Sequence, residues 1–137
     1  MPPPELLAFG REVLGRQAFS VLLGARLDVF EPGLAQLSLA VAPALLQQDG
    51  FVHGGVLAYL ADNAHTYAGG SVLGKVLTSE FKINYLRPAV DVERLVAVAT
   101  VVASGRTQAV CRCDVFLERA AGRELCAAAQ GTIRKVE

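Results

Sequence analysis

The stretch HGGVLAYLADNAHTYAGG, residues His53 to Gly70, decides how the rest of the chain is read. It opens on a histidine and two glycines and continues as an alanine-rich helical pattern. It ends at Gly69-Gly70, a stop signal for a helix. One acid, Asp62, stands among apolar neighbours. Burying a carboxylate is costly without a compensating interaction, so Asp62 asks for a role. Gly54 and Gly55 fall in the first turn, where backbone N–H groups have no intrahelical partner and the helix dipole is positive. An N–H there can bind an anion or polarise a carbonyl, and glycine lets a ligand approach closely. Asp62 follows Gly54 by eight residues, about 12 Å along a helix axis. That is too far for one helix to bring both groups to one reacting atom. If they cooperate, two opposed copies of the helix must lie side by side. The spacing therefore predicts at least a dimer, with sites across its interface.

Outward from this helix, the period changes. Pro2 to Pro4 read as a tether, and Glu5–Arg16 as a short amphipathic helix with Leu6, Leu7, Val13 and Leu14 on one side. From Phe19 the pattern becomes two-residue: Leu23, Ala25, Leu27 and Val29 alternate with Gly24, Arg26 and Asp28. Glu31-Pro32-Gly33 turns the chain into a second strand, Leu34–Val41. After the long helix, Val76–Leu86 alternates, with Leu77, Phe81, Ile83 and Tyr85 on one face and Thr78, Glu80, Lys82 and Asn84 on the other. Arg87-Pro88 ends that strand. Leu95–Ala103 is apolar on both faces, the mark of a central or interfacial strand. Thr107–Leu117 turns Ala109, Cys111, Cys113 and Val115 inward, with Arg112 and Asp114 outward. Ala120-Ala121-Gly122 makes a hairpin, and Leu125–Ile133 closes the sheet. Short turns between consecutive strands imply antiparallel pairing. Six strands around one apolar helix make an α+β domain.

Composition narrows the classes. The 137 residues suit one domain, 1–137. Hydrophobic residues make up 53%, which fits surface lost to an oligomer. No apolar run reaches the length that spans a bilayer. The start, MPPPELLAFG, has neither a basic region nor a cleavage site, so no signal peptide and a cytoplasmic location are expected. The formal net charge is zero without a basic stripe, which argues against nucleic acid as a partner. The three cysteines, Cys111, Cys113 and Cys126, are an odd number for a disulfide framework. Cys111 and Cys113 share a strand face. They read either as a metal or redox pair, for which no His or Cys cluster completes a zinc site, or as small buried hydrophobes.

HGGVLAYLADNA resembles the HGGxxxxLxD signature of the hotdog-fold thioesterases, in the PaaI-like branch that hydrolyses acyl-CoA. LTSEFKINYLRPA, residues 77–89, resembles the third strand of that branch with its Y-L-x-P ending. The likeness runs from about Gln47 to Thr132. It implies a hotdog fold: a six-stranded antiparallel sheet wrapped around one long helix, with a short N-terminal helix. It implies an acyl-CoA thioesterase without metal or cofactor, coenzyme A being part of the substrate. It also implies a homodimer or a tetramer of paired dimers, with no membrane partner.

The resemblance assigns roles residue by residue. Asp62 becomes the catalytic carboxylate, nucleophile or general base; the alternative is a local bond to Thr66 or His65. Gly54 supplies the polarising N–H with Gly55 beside it, unless the pair serves close packing. His53 is a general base, an orienting group near the active-site turn, or a structural hydrogen bond. The branch usually carries Asn six residues before this His. Here the position is Gln47, one methylene longer, and Gln48 could substitute, or the segment is a solvated loop. Thr78 matches a Ser or Thr close to the partner's carboxylate, although it lies on the polar face of its strand and follows Asp62 more closely than in some relatives. Lys82, Arg87 and Arg106 are candidates for the CoA phosphates. Leu57, Tyr59, Leu60 and Phe81 are candidates for the acyl pocket, and His65 is left outside the site.

Other readings remain open. A hotdog dehydratase or hydratase would pair a His with an acid in local motifs absent here. A non-catalytic acyl-CoA-binding or sensor protein would need an output module that the short N-terminal segment does not supply. A structural oligomer would keep Asp62 only as a polar anchor. The natural acyl group is not legible in these residues.

Overall fold

The apolar run folds as one long helix, α3 (Gly54–Leu73), in a computed structural model that describes residues 1–136. Around it lie α1 (Pro3–Arg16), α2 (Ala18–Leu23), β1 (Arg26–Glu31), β2 (Leu34–Ala40), a 3-10 turn at Pro43–Leu45, β3 (Val76–Tyr85), β4 (Arg94–Ser104), β5 (Gln108–Arg119) and β6 (Gly122–Lys135). The six strands form one antiparallel sheet in the order β1-β2-β4-β5-β6-β3. The strand apolar on both faces, β4, sits inside that sheet between β2 and β5.

The sheet wraps one side of α3. Leu60, Ala61, Ala64 and Ala68 are fully buried, opposite inward residues such as Leu37, Ala97, Cys113, Val115 and Ala127. Alanines bring the helix backbone close to the strands. Gly69 goes further, since a Cβ there would lie 2.8 Å from Cβ and Cγ2 of Ile133. The Gly69-Gly70 pair therefore does not stop the helix, contrary to the expectation from sequence. The helix continues to Leu73 and ends at Gly74, whose φ of 91° favours glycine. Cys111 and Cys113 face inward on β5 and are fully buried; burial pushes the Cys111 thiol up to about 11. They are small core hydrophobes, and no metal-holding cluster occurs among the described residues.

Four local expectations are corrected. Pro3 and Pro4 begin α1 rather than forming a tether, because the first turn of a helix needs no N–H from them. Residues 18–23 form helix α2 rather than the start of a strand. It closes on Gly24 at φ 77°, and β1 begins only at Arg26. The alternation then slips at Asp28, where the register shifts, so Leu27 and Phe30 are the buried residues of β1. A similar shift in β3 lies between Thr78 and Glu80. It puts Val76 and Thr78 in phase with Phe81 and Ile83 and leaves Leu77 64% exposed. Such an inserted residue is a β-bulge. Just past it Gly131 pairs with Phe81, and a Cβ there would lie 2.5 Å from Cβ of Phe81 and 2.6 Å from the Glu80 carbonyl oxygen.

Gly69→Ala should cost about 1–3 kcal/mol by overpacking, read as a lower urea midpoint. Gly70→Ala, whose Cβ would meet only Cγ2 of Val76 at 3.6 Å, should leave the midpoint unchanged or raise it.

Candidate active site

The N-terminus of α3 is capped by His53, whose Nδ1 accepts the Gly55 N–H at 2.8 Å. A Cβ on Gly55 would lie 3.0 Å from that nitrogen, so the glycine accommodates the imidazole. Of the three sequence readings of His53, the structural hydrogen bond is the one the chain forms. The Gly54 N–H has no hydrogen-bond partner among the described residues. Tyr85, at the end of β3, donates to the Gly54 carbonyl at 3.1 Å and lays its ring beside the Gly54 Cα. A Cβ on Gly54 would meet that ring at 3.5 Å, an ordinary contact. The packing within one chain therefore leaves the glycine at 54 unexplained.

Asp62 lies two turns further on, half-buried. Its Oδ1 accepts the Thr78 hydroxyl at 2.6 Å. Thr66 donates to the backbone carbonyls of Asp62 and Asn63, both at 2.9 Å, so the expected local bond from Thr66 to the acid is a backbone bond instead. Oδ2 of Asp62 has no hydrogen-bond partner among the described residues. The bulge in β3 makes this arrangement: without the inserted residue, Thr78 would share the outer face with Glu80. The polar-face reading of Thr78 is thus corrected, and its hydroxyl meets the carboxylate of its own chain.

His65 is fully buried one turn beyond Asp62, with its ring edge-on to Phe81 at 6.0 Å. Neither ring nitrogen has a hydrogen-bond partner of good geometry among the described residues. Burial holds its pKa below the usual histidine range, against the smaller opposing pull of Asp62, the Ala129 backbone and Glu80.

Beside Asp62 a polar network joins α2 to α3. Tyr59 donates to Ser20, Ser20 to Gln17 at 2.7 Å, and the Asn63 amide to Gln17 at 3.0 Å and to the Tyr59 oxygen at 3.1 Å. Tyr59 is therefore a docking residue rather than a free pocket wall, and burial raises its pKa. Sequence reasoning missed Gln17, Ser20 and Asn63 because the segment at Phe19 read as a strand. A polar residue at 63 next to the acid was the available signal.

The other candidates scatter. Gln47 turns its amide oxygen onto the N–H groups of Asp49 and Phe51, bracing the loop before α3, while Gln48 is exposed. Leu57 (3% exposed) and Leu60 are core residues under the sheet, which corrects their placement in an acyl pocket. Phe81 is half-buried against His65. Lys82 points to the sheet face opposite α3, out of phase with inward Phe81 and Ile83. Arg106 lies in the β4–β5 turn, at the end of the sheet away from Gly54. Arg87 follows Tyr85 at the Gly54 end and pairs with Glu124 at 3.2 Å. Two groups thus assemble on the uncovered side of α3, His53-Gly54-Gly55 at its start and Asp62-Thr78 midway, separated by the distance that the helix rise dictates.

Residues 49–122 match the family model described as Thioesterase superfamily. The chain belongs to the thioesterase superfamily. An esterase-named protein of Deinococcus radiodurans is 34% identical over 136 residues, 99% of this thioesterase and 84% of its own length. A thioesterase family protein from Silicibacter pomeroyi superposes with a TM-score of 0.86 at 36% identity, over 90% of this chain and 93% of that one. A mutant of the phenylacetic acid degradation protein PaaI from Thermus thermophilus does so at 0.78 and 30%, over 86% of this chain and 98% of its own. The sheet-wrapped helix is the hotdog fold, and this thioesterase is a thioester hydrolase.

His65 gives a pH prediction. Its lowered folded pKa means that the unfolded chain takes up a proton first as pH falls. Stability should thus be intact above the unfolded histidine pKa of about 6.5 and be lost progressively below it. The urea midpoint of the wild type should drop between about pH 7.5 and 5.5, on either side of that value, and His65→Leu should show a smaller drop.

Proposed function

We propose that this thioesterase hydrolyses acyl-CoA, with Asp62 as the reacting carboxylate and the Gly54 N–H of a second copy polarising the thioester carbonyl. The observation that carries the reading is the Asp62–Thr78 pair: a half-buried carboxylate with one oxygen held at 2.6 Å and the other free, on an otherwise apolar helix. The free oxygen is placed to add to a carbonyl carbon or to take a proton from water. As a nucleophile, Oδ2 adds to the carbonyl carbon, the C–S bond breaks, CoA leaves as thiolate, and water cleaves the resulting anhydride. As a general base, Oδ2 takes a proton from water while that water adds; the tetrahedral adduct then breaks its C–S bond, and the proton passes to the departing CoA thiolate. Both routes build an oxyanion, for which an unpartnered N–H at a helix N-terminus is suited.

The distance of about 12 Å from Gly54 to Asp62 on one helix supports a homodimer in which opposed copies of α3 complete each site. A tetramer of such dimers is compatible with this. The likeness of residues 53–62 and 77–89 to the PaaI-like signature supports the acyl-CoA class. Of the basic candidates, Arg87 stands at the Gly54 end and is the one assigned to the CoA phosphates. His53 shapes the turn through Gly55, and Gln47 braces the loop before it. The reaction draws on no metal or cofactor. A cytoplasmic location suits three unpaired cysteines.

Thiol release from a panel of acyl-CoAs tests the proposal. Asp62→Asn should lower kcat/KM by about a thousandfold, as loss of a central catalytic group does. Thr78→Val should cost roughly ten- to a hundredfold, the worth of a hydrogen bond to a charged group, with Thr78→Ser close to wild type. Turnover indifferent to Asp62→Asn would remove the mechanism. Tight acyl-CoA binding with no turnover of any ester would favour the non-catalytic binding protein.

A further inference from the structure

We propose that the groove between α1, the C-terminal half of α3 and the start of β3 is the acyl pocket, and that it takes a linear aliphatic acyl group of medium length. This rests on Asp62 being the reacting carboxylate. The groove has a volume of about 640 Å³, inside the range of about 300–1,000 Å³ for small-molecule sites. Leu6, Phe9 and Val13 of α1 form one wall, Tyr67 and Gly70 of α3 the floor, and Val76 of β3 the other wall. The Tyr67 hydroxyl donates to the Gly10 carbonyl at 2.8 Å, so the floor presents its ring rather than a polar group. Phe9 stays 50% exposed and Leu77 64% exposed along the rim, large apolar groups without cover in one chain.

One end of the groove lies within a helical turn of Asp62, at Asn63 and Thr66. Thr66 lines it and donates to the Asp62 carbonyl. Val76 lines it and lies two residues before Thr78, which holds the Asp62 side chain. Two elements thus lead from the groove toward Asp62. Polar Gln17, Asn63 and Thr66 sit at this end, where the thioester carbonyl would lie. From Thr66 the floor runs to Gly74, eight residues or about 12 Å along the helix. An extended chain advances about 3.5 Å per three bonds, so the groove spans on the order of ten carbons. A single aromatic ring would occupy only its mouth.

Gly70 gives the handle. A Cβ there meets only Cγ2 of Val76, at 3.6 Å, so a larger side chain grows into the groove without striking backbone. Binding of S-decyl-CoA, a thioether that cannot be hydrolysed, is compared with binding of free CoA by calorimetry. The proteins are the intact wild type, Gly70→Leu and Val13→Trp, each checked for fold by circular dichroism. The wild type should bind decyl-CoA at least about a hundredfold tighter than CoA, from burial of the alkyl chain. Each variant should lose about tenfold or more of that gain. An unchanged gain in both folded variants overturns the proposal. So does no gain in the wild type, the result expected if a second copy of the chain fills the groove. S-phenethyl-CoA binding tighter than decyl-CoA overturns the linear class. A groove-dependent gain without turnover would keep the pocket and discard hydrolysis by Asp62; Asp62-dependent turnover with an indifferent gain would do the reverse.

Discussion

The structure depends on how closely α3 approaches the sheet. Leu60, Ala61, Ala64 and Ala68 are fully buried, and Gly69 leaves no room for even one methyl against Ile133. Small residues on the buried side let the strands curve around the helix, so both edges of the sheet come near it. That curvature brings Phe30 of β1 and Val76 of β3, from opposite edges, to the same groove. A bulkier helix face would push the sheet away, and β3 could not reach Asp62.

Closing on the helix also demands breaks in strand regularity. A strand of strict alternation would keep Val76 and Thr78 in antiphase to Phe81 and Ile83, so one pair would be lost from the inner face. The inserted residue near Ser79 resolves this, and Gly131, paired with Phe81 just beyond it, leaves room for the strand to approach. The same irregularity that completes the core places the Thr78 hydroxyl 2.6 Å from Asp62. The core and the Asp62–Thr78 contact thus share one backbone feature.

Elements with a single strong period were legible in the sequence. β5 alternates without interruption from Ala109 to Val115, and the inward set is the buried set. The hotdog arrangement, the long helix and Asp62 on it followed from pattern and resemblance together. What stayed hidden depends on contacts far apart in the chain. Residues 18–23 form a helix because Ser20 docks on Tyr59 and Asn63 of α3, contacts that alternation does not register. The bulges at Asp28 and near Ser79 shift phase within one strand, which a fixed two-residue period misses. Leu57 and Leu60 looked like pocket walls because an apolar helix residue reads the same whether it meets a ligand or a sheet.

The glycines separate these demands. Gly69 and Gly131 are required by packing, since a Cβ at either would collide with a neighbour held in the core. Gly55 is required locally, by the His53 imidazole that caps the helix. Gly54 has no such reason within the chain: its φ is unexceptional, its missing Cβ would make an ordinary contact with Tyr85, and its N–H is unpartnered among the described residues. A residue in the first turn of a helix that forgoes a side chain without gaining packing is open to close approach from outside. The position that the fold leaves unexplained is therefore the one proposed to offer its backbone N–H to a thioester carbonyl.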